Sequence, residues 1–345
     1  MRAAVIHAPR DIRIETVPDP ELREPTDALV KVTHACICGS DLWAYQGVAA
    51  RTAGQRIGHE FTAVVVETGS EVTTLKPGDP VVAPFVWSDG TCVYCMENLQ
   101  TSCVNGGFWG EPGSDGGQGQ FVRVPYADGT LVKLPSGLDD DTMVKILALS
   151  DVMCTGHHAA VTSGVRKGST VAVVGDGAVG LCGVLAAKRL GAERIISLGR
   201  HEARTAIARR FGATDVVPER GQDAVDAVRD MTNGEGAHAV IEAVGTEQSM
   251  RTAISIARDG GAVGFVGVPH SGSRGVDIRQ MFNRNVALTG GVAPARAYLP
   301  ELLSDVLAGR LDPSPVFDMR VGLDGVPQGY AAMDERTALK VLVLP

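Results

Sequence analysis

Between Thr170 and Leu190 the chain passes from a short apolar run, through a glycine-rich turn, into small and apolar residues of helical length. The run Thr170-Val171-Ala172-Val173-Val174 is rich in β-branched residues and reads as a buried strand. Gly175-Asp176-Gly177-Ala178-Val179-Gly180 follows, and a helix is predicted from Val179 to Leu190. A strand that turns this sharply into a helix belongs to a sheet whose helices cross back over it. Gly175 permits the tight turn, Gly177 lets backbone approach a pyrophosphate, and Gly180 lets helix and strand pack closely. The helix start at Ala178 and Val179 offers free N–H groups to phosphate oxygens. A lone G-x-G-x-x-G is a weak signal, and its place between strand and helix is what makes it informative. The bland alternative is a tight turn that holds nothing.

The alternation continues. Arg194–Leu198 reads as strand, Arg204–Phe211 as helix, and Ala239–Ala243 and Ala262–Val268 as further buried strands. This predicts an α/β domain, a doubly wound parallel sheet of the Rossmann type. In such a domain an acidic residue at the end of the second strand bonds the ribose 2′-hydroxyl of NAD and repels the 2′-phosphate of NADP. Here that strand ends in Gly199-Arg200-His201, with no acidic residue. Gly199 leaves room, and the Arg200 guanidinium suits phosphate. The expectation is NADP(H), with NAD(H) possible if Arg200 is solvated or stacks on adenine.

Residues 1–150 have a different texture. Val30–His34, Phe61–Thr68 and Pro80–Phe85 are runs of strand length, separated by turns such as Lys76-Pro77-Gly78-Asp79. Ser88–Gly119 is rich in Gly, Cys and Asp, a loop long enough to need something that holds it. A helix, Leu299–Ala308, and a strand, Ala338–Leu344, close the chain. With 345 residues, two domains are expected: a catalytic one at 1–152 and 296–345, and a dinucleotide-binding one at 153–295. The net charge of −8 argues against nucleic acid or an anionic membrane as partner. No apolar stretch has the length of a membrane span, and the opening residues do not resemble a signal peptide, so the expected location is cytoplasmic. Seven cysteines, an odd number, argue against a disulfide framework, and the clustering of three points to a metal.

Cys38, His59 and Asp151 offer a thiolate, an imidazole and a carboxylate, a set that suits catalytic zinc with one position left open. Spacing alone is only suggestive, because a single His or Cys is more often structural. Taken together, Cys38-Gly39-Ser40-Asp41, Gly58-His59-Glu60, the cysteine loop and the glycine turn resemble the zinc-dependent medium-chain alcohol dehydrogenases, over essentially the whole chain. The resemblance implies a mostly β, GroES-like catalytic domain beside the Rossmann domain. It implies that Cys38, His59 and Asp151 hold the catalytic zinc, with Glu60 as an alternate ligand. Ser150-Asp151-Val152-Met153-Cys154-Thr155-Gly156-His157-His158 is similar to the bacterial secondary-alcohol branch, which uses aspartate there and tends to be tetrameric and NADP-linked. A homo-oligomer, tetramer or dimer, is therefore expected.

The family's second zinc sits on four cysteines spaced C-x2-C-x2-C-x7-C. Here Cys92, Cys95 and Cys103 match and Asp89 takes the first place, which implies a structural zinc on one aspartate and three cysteines. The alternative is an empty thiol cluster. By the same resemblance Val244, Gly267, Val268, Gly290 and Gly291 approach the cofactor's ribose and nicotinamide, and Lys340 its pyrophosphate. Ser40 is the expected proton carrier, with Asp41 orienting ligands. Many relatives have a relay histidine where this chain has Trp43, whose indole N–H only donates. Trp43, Phe85 and Trp109 are candidates for an apolar substrate wall, and His157 and His158 are read as packing residues.

The implied activity is hydride transfer between a small primary or secondary alcohol and NADP(H), giving the aldehyde or ketone. The competing readings are a metal-free NADPH-dependent quinone or enoyl reductase and a non-catalytic cofactor-binding protein.

Overall fold

The protein is described by a computed structural model covering residues 1–111, 113–269 and 275–345. It divides into two compact units, Met1–Asp151 with Pro294–Pro345, and Val152–Ala293. No helix among the described residues is long and apolar enough to cross a membrane.

The first unit is built on a mostly antiparallel sheet. Its strands run in the order Val132–Lys133, Pro80–Ala83, Phe61–Thr68, Ala28–Cys36, Val341–Leu344 and Met319–Gly322, with Phe121–Val124 also paired to Ala28–Cys36. Alternation along Ala28–Cys36 puts Ala28, Val30 and Val32 into a core shared with Phe61, Val81, Val122 and Tyr330. Register decides what gathers at one end of this sheet. Ala35 pairs with Phe61, Phe61 with Ala83, and Leu342 with Cys36. The turns after Cys36, before Phe61 and after Ala83 therefore open side by side. They carry Cys38 to Asp41, His59 and Glu60, and Phe85. The Ser150 hydroxyl donates to the Ala83 carbonyl and the Phe85 amide donates to Ser150 O, which brings Asp151 to the same end.

The second unit holds a six-stranded parallel sheet. Its order is Asp215–Val217, Arg194–Leu198, Thr170–Val174, Ala237–Glu242, Ala257–Phe265, Ala287–Gly290. Numbered along the chain this is 3-2-1-4-5-6, so the direction of winding reverses beside Thr170–Val174, where such sheets bind ligands. Thr170–Val174 and Arg194–Leu198 have the ends predicted, and the helix after the glycine turn runs Ala178–Arg189. Ala257–Phe265 starts earlier than its apolar run because Arg258, Asp259 and Gly260 extend it towards solvent.

Candidate functional site

In the first unit Cys38 Sγ, a nitrogen of His59 and carboxylate oxygens of Glu60 and Asp151 all lie within 4.8 Å of one another. Cys38 Sγ is 3.5 Å from Asp151 Oδ2, and His59 Nε2 is 3.4 Å from the same oxygen. These four come from three separate stretches of chain, gathered by the sheet register just described.

Cys38, His59 and Glu60 are held from behind. Asp41 Oδ1 is 3.1 Å from His59 Nδ1, and its Oδ2 accepts from the Cys38 amide at 3.0 Å. One carboxylate thus fixes both a ring and a thiol-bearing backbone, and it leaves Nε2 facing the other donors. Gln118 donates to the Cys36 carbonyl at 3.0 Å and accepts from the Tyr330 hydroxyl at 3.1 Å, which ties the Cys36–Cys38 turn to the Val326–Asp334 helix. Glu60 Oε1 accepts from Lys340 Nζ at 2.6 Å, while Glu60 Oε2 is buried with no hydrogen-bond partner.

The electrostatics follow from burial and crowding. Burial pushes the Cys38 thiol up, and the Asp151 and Glu60 charges push it further. Burial opposes a charge on His59, but Asp41, Cys38 and Asp151 outweigh it and hold its pKa well above the ordinary value. Sulfur, nitrogen and two carboxylates packed in one buried spot, one oxygen orphaned, form an anionic donor set that a divalent ion such as zinc satisfies.

Lys340 is 1 % exposed, with its ammonium 2.6 Å from Glu60 Oε1, a partner that the sequence did not indicate. One expectation changes here. Trp109 is 2 % exposed, donates to the Pro84 carbonyl at 2.8 Å and packs on Phe61 and Trp87 with ring centroids 5.2 Å away in each case. It is a core residue of this unit and not a substrate wall. Trp43 is half-buried and Phe85 buried. Ser40 is exposed, at the start of the helix Asp41–Tyr45, and its hydroxyl caps none of that helix's amides.

The lobe holds the second donor group: Asp89, Cys92, Cys95 and Cys103, with ligand atoms again within 4.8 Å. Asp89 Oδ1 accepts from the Thr91 and Cys92 amides at 2.8 and 2.9 Å, and Oδ2 accepts from Asn105 at 2.8 Å. Those bonds outweigh burial and hold its carboxyl well below the usual range. Burial pushes the Cys95 thiol up to about 12, while the Cys95 amide draws the Cys92 thiol down.

In the second unit the glycine turn leaves the carboxyl end of Thr170–Val174. Gly175 has φ +119°, a conformation that favours glycine, and a Cβ on Gly180 would stand 2.1 Å from the Gly175 carbonyl oxygen. A Cβ on Gly177 would meet nothing within 4 Å, and no side chain caps the helix Ala178–Arg189. An open turn with uncapped amides fits a dinucleotide's phosphates. Val244, Gly267, Val268, Gly290 and Gly291 stand at the same carboxyl end of the sheet, just beyond Glu242, Phe265 and Leu288. Glu242 Oε1 steadies this rim by accepting from the Val244 and Gly245 amides, each at 2.9 Å.

The end of the second strand also differs from expectation. The room beside Gly199 is filled by Asp176, the residue between the first two glycines: a Gly199 Cβ would lie 2.6 Å from Asp176 Cβ. An acidic group is present there after all, supplied from the turn.

A family described as the alcohol dehydrogenase GroES-like domain matches residues 24–136, and one described as zinc-binding dehydrogenase matches 178–308. Zinc-type alcohol dehydrogenase B of Aspergillus flavus is 32% identical, over 99% of this chain and 81% of its own length. A probable zinc-binding alcohol dehydrogenase of Mycobacterium tuberculosis is 36% identical, over 98% of this chain and 86% of its own. Among solved structures, the alcohol dehydrogenase of Thermus sp. ATN1 superposes with a TM-score of 0.92 at 34% identity, covering 100% of this chain and 99% of that one.

Proposed function

Because this chain belongs to the zinc-dependent medium-chain alcohol dehydrogenase family, we propose that it interconverts a small primary or secondary alcohol and its aldehyde or ketone. Cys38, His59 and Asp151 hold the catalytic zinc in this reading, with Glu60 in reach as an alternate ligand. The observation that carries it is the buried four-donor cluster, within 4.8 Å, with its supports Asp41 and Lys340 in place. A metal-free reductase has no use for such a group.

When bound, zinc supplies a Lewis acid at the substrate oxygen, and the nicotinamide supplies or takes the hydride. The chain's own residues do the rest. Asp41 Oδ1 accepts a hydrogen bond from His59 Nδ1–H, so the imidazole would present Nε2 to the metal. Lys340 holds Glu60 Oε1 at 2.6 Å and so fixes the carboxyl group beside the cluster. Ser40 Oγ takes the alcohol proton and passes it to water, since a hydroxyl both accepts and donates. Trp43 and Phe85 favour an apolar substrate body. Asp89, Cys92, Cys95 and Cys103 hold a structural zinc.

Gly175, Gly177, Ala178, Val179 and Gly180 take the dinucleotide's pyrophosphate, and the Val244, Gly267–Val268 and Gly290–Gly291 backbone its far half. Arg200, exposed beside the second strand's end, favours NADP(H), with NAD(H) accepted. A homo-oligomer is part of this reading. Ala287–Gly290 is an outer strand of its sheet, and Phe282 beside it in sequence is 81 % exposed.

The test is zinc content per chain together with oxidation of a panel of small alcohols by NADP⁺ and NAD⁺. Zinc-dependent turnover of at least one alcohol supports the reading, and reduction of quinones or enones by the zinc-free protein, without alcohol turnover, overturns it.

A further inference from the structure

The glycine turn and the end of the second strand share one side chain's worth of space. Gly199 has none, and Asp176 occupies the place: its Cβ is 2.6 Å and its Oδ2 3.1 Å from where a Gly199 Cβ would be. Asp176 Oδ2 accepts from the Arg200 amide at 3.3 Å and lies 3.5 Å from the His201 amide. Its Oδ1 stands 3.5 Å from Arg204 Nη1. Those amides lie just before the helix Glu202–Phe211, whose N-terminus draws an anion. The carboxylate therefore already holds the donors that a 2′-phosphate at this strand end would use, and it adds a like charge beside them. Arg200 and Arg204 pull the other way.

We propose that Asp176 is the cofactor-discriminating acid of this chain, transferred from the strand end to the glycine turn, where it bonds the adenosine ribose 2′-hydroxyl of NAD(H) and restrains the binding of NADP(H). This rests on the reading that a nicotinamide dinucleotide binds at the glycine turn. Two cofactors are then served by opposed groups, Asp176 for the hydroxyl and Arg200 with Arg204 for the phosphate. Gly199 is required because any side chain there evicts Asp176.

The experiment is titration of the zinc-loaded protein with NADH and with NADPH, followed by nicotinamide fluorescence, in wild type, Asp176→Asn and Gly199→Ala. Asp176→Asn is nearly isosteric and removes only the charge. It is expected to move the ratio of dissociation constants about tenfold towards NADPH. Gly199→Ala leaves every charge in place but pushes the carboxylate aside, and it is expected to move the ratio in the same direction by a smaller factor. Ratios within about twofold of wild type in both variants overturn the proposal. A wild type that prefers NADH, with the shift still present, upholds the role of Asp176 and removes the NADP(H) preference alone. A wild type that binds neither dinucleotide overturns both.

Discussion

Cys38 and Asp151 stand 113 positions apart in the chain, yet their ligand atoms lie 3.5 Å from each other; the Asp89 to Cys103 group spans 14 positions. The first cluster is assembled by sheet register and braced by residues that are not donors themselves: Asp41, Gln118, Tyr330 and Lys340. The second braces itself, through Asp89 bonding the amides of its own turn and Asn105. Around it Val93, Met96 and Val104 are exposed, Met96 at 71 %. The lobe has little apolar burial of its own, so an ion there contributes folding energy. The buried cluster sits in a sheet that has its core already, so an ion there is free to serve chemistry. On the proposed reading, similar donors divide into a catalytic and a structural role according to what lies behind them.

That contrast breaks most visibly with Asp151→Ala. Turnover is expected to fall by about a thousandfold or more, because the metal's activation of the substrate oxygen goes with the metal. Fold and dinucleotide binding persist, which steady-state rates and NADPH titration check together. Lys340→Met tests the bracing. It leaves the Glu60 carboxylate buried without its cation, and unfolding in urea is expected to show a loss of about 3–5 kcal/mol. The double variant with Glu60→Gln recovers most of that loss if the pairing is the cause. On the other side of the comparison, Cys103→Ser is expected to lower stability by about 1–3 kcal/mol and open the lobe to proteolysis between Asp89 and Phe108. Turnover per folded molecule stays within about tenfold, since the lobe's donors are not at the reacting centre. The smallest effect is Asp41→Asn. Zinc affinity at the buried cluster is expected to weaken by about 10–100-fold, measured by competition with a chelator, with stability nearly unchanged.

The donors were legible in the sequence because each metal group places distinctive residue types in short motifs. The parallel sheet was legible because its inner strands are buried on both faces and read as unbroken apolar runs, as Thr170–Val174 does. The supports were not. Lys340 is a lone basic residue near the end of the chain, and nothing local says that it points inward to Glu60. Trp109 looks like any aromatic in a loop, and only the packing of Phe61 and Trp87 makes it core. Asp176 could have been noticed: an acid between the first two glycines, together with a glycine at the next strand's end, is a complementary pair. A parallel strand, Asp215–Val217, escaped because it is three residues long, whereas the helix Gln222–Met231 could have been read from the helical spacing of Ala224, Val225, Ala227, Val228 and Met231.

Zinc counted per chain, in wild type and in the variant lacking the Asp151 carboxylate, reaches the core of this account most directly. Two ions falling to one, with the lobe ion retained and alcohol turnover gone, is the result predicted. Two ions and undiminished turnover in the variant would contradict it, and would place the reacting metal somewhere other than on Cys38, His59 and Asp151.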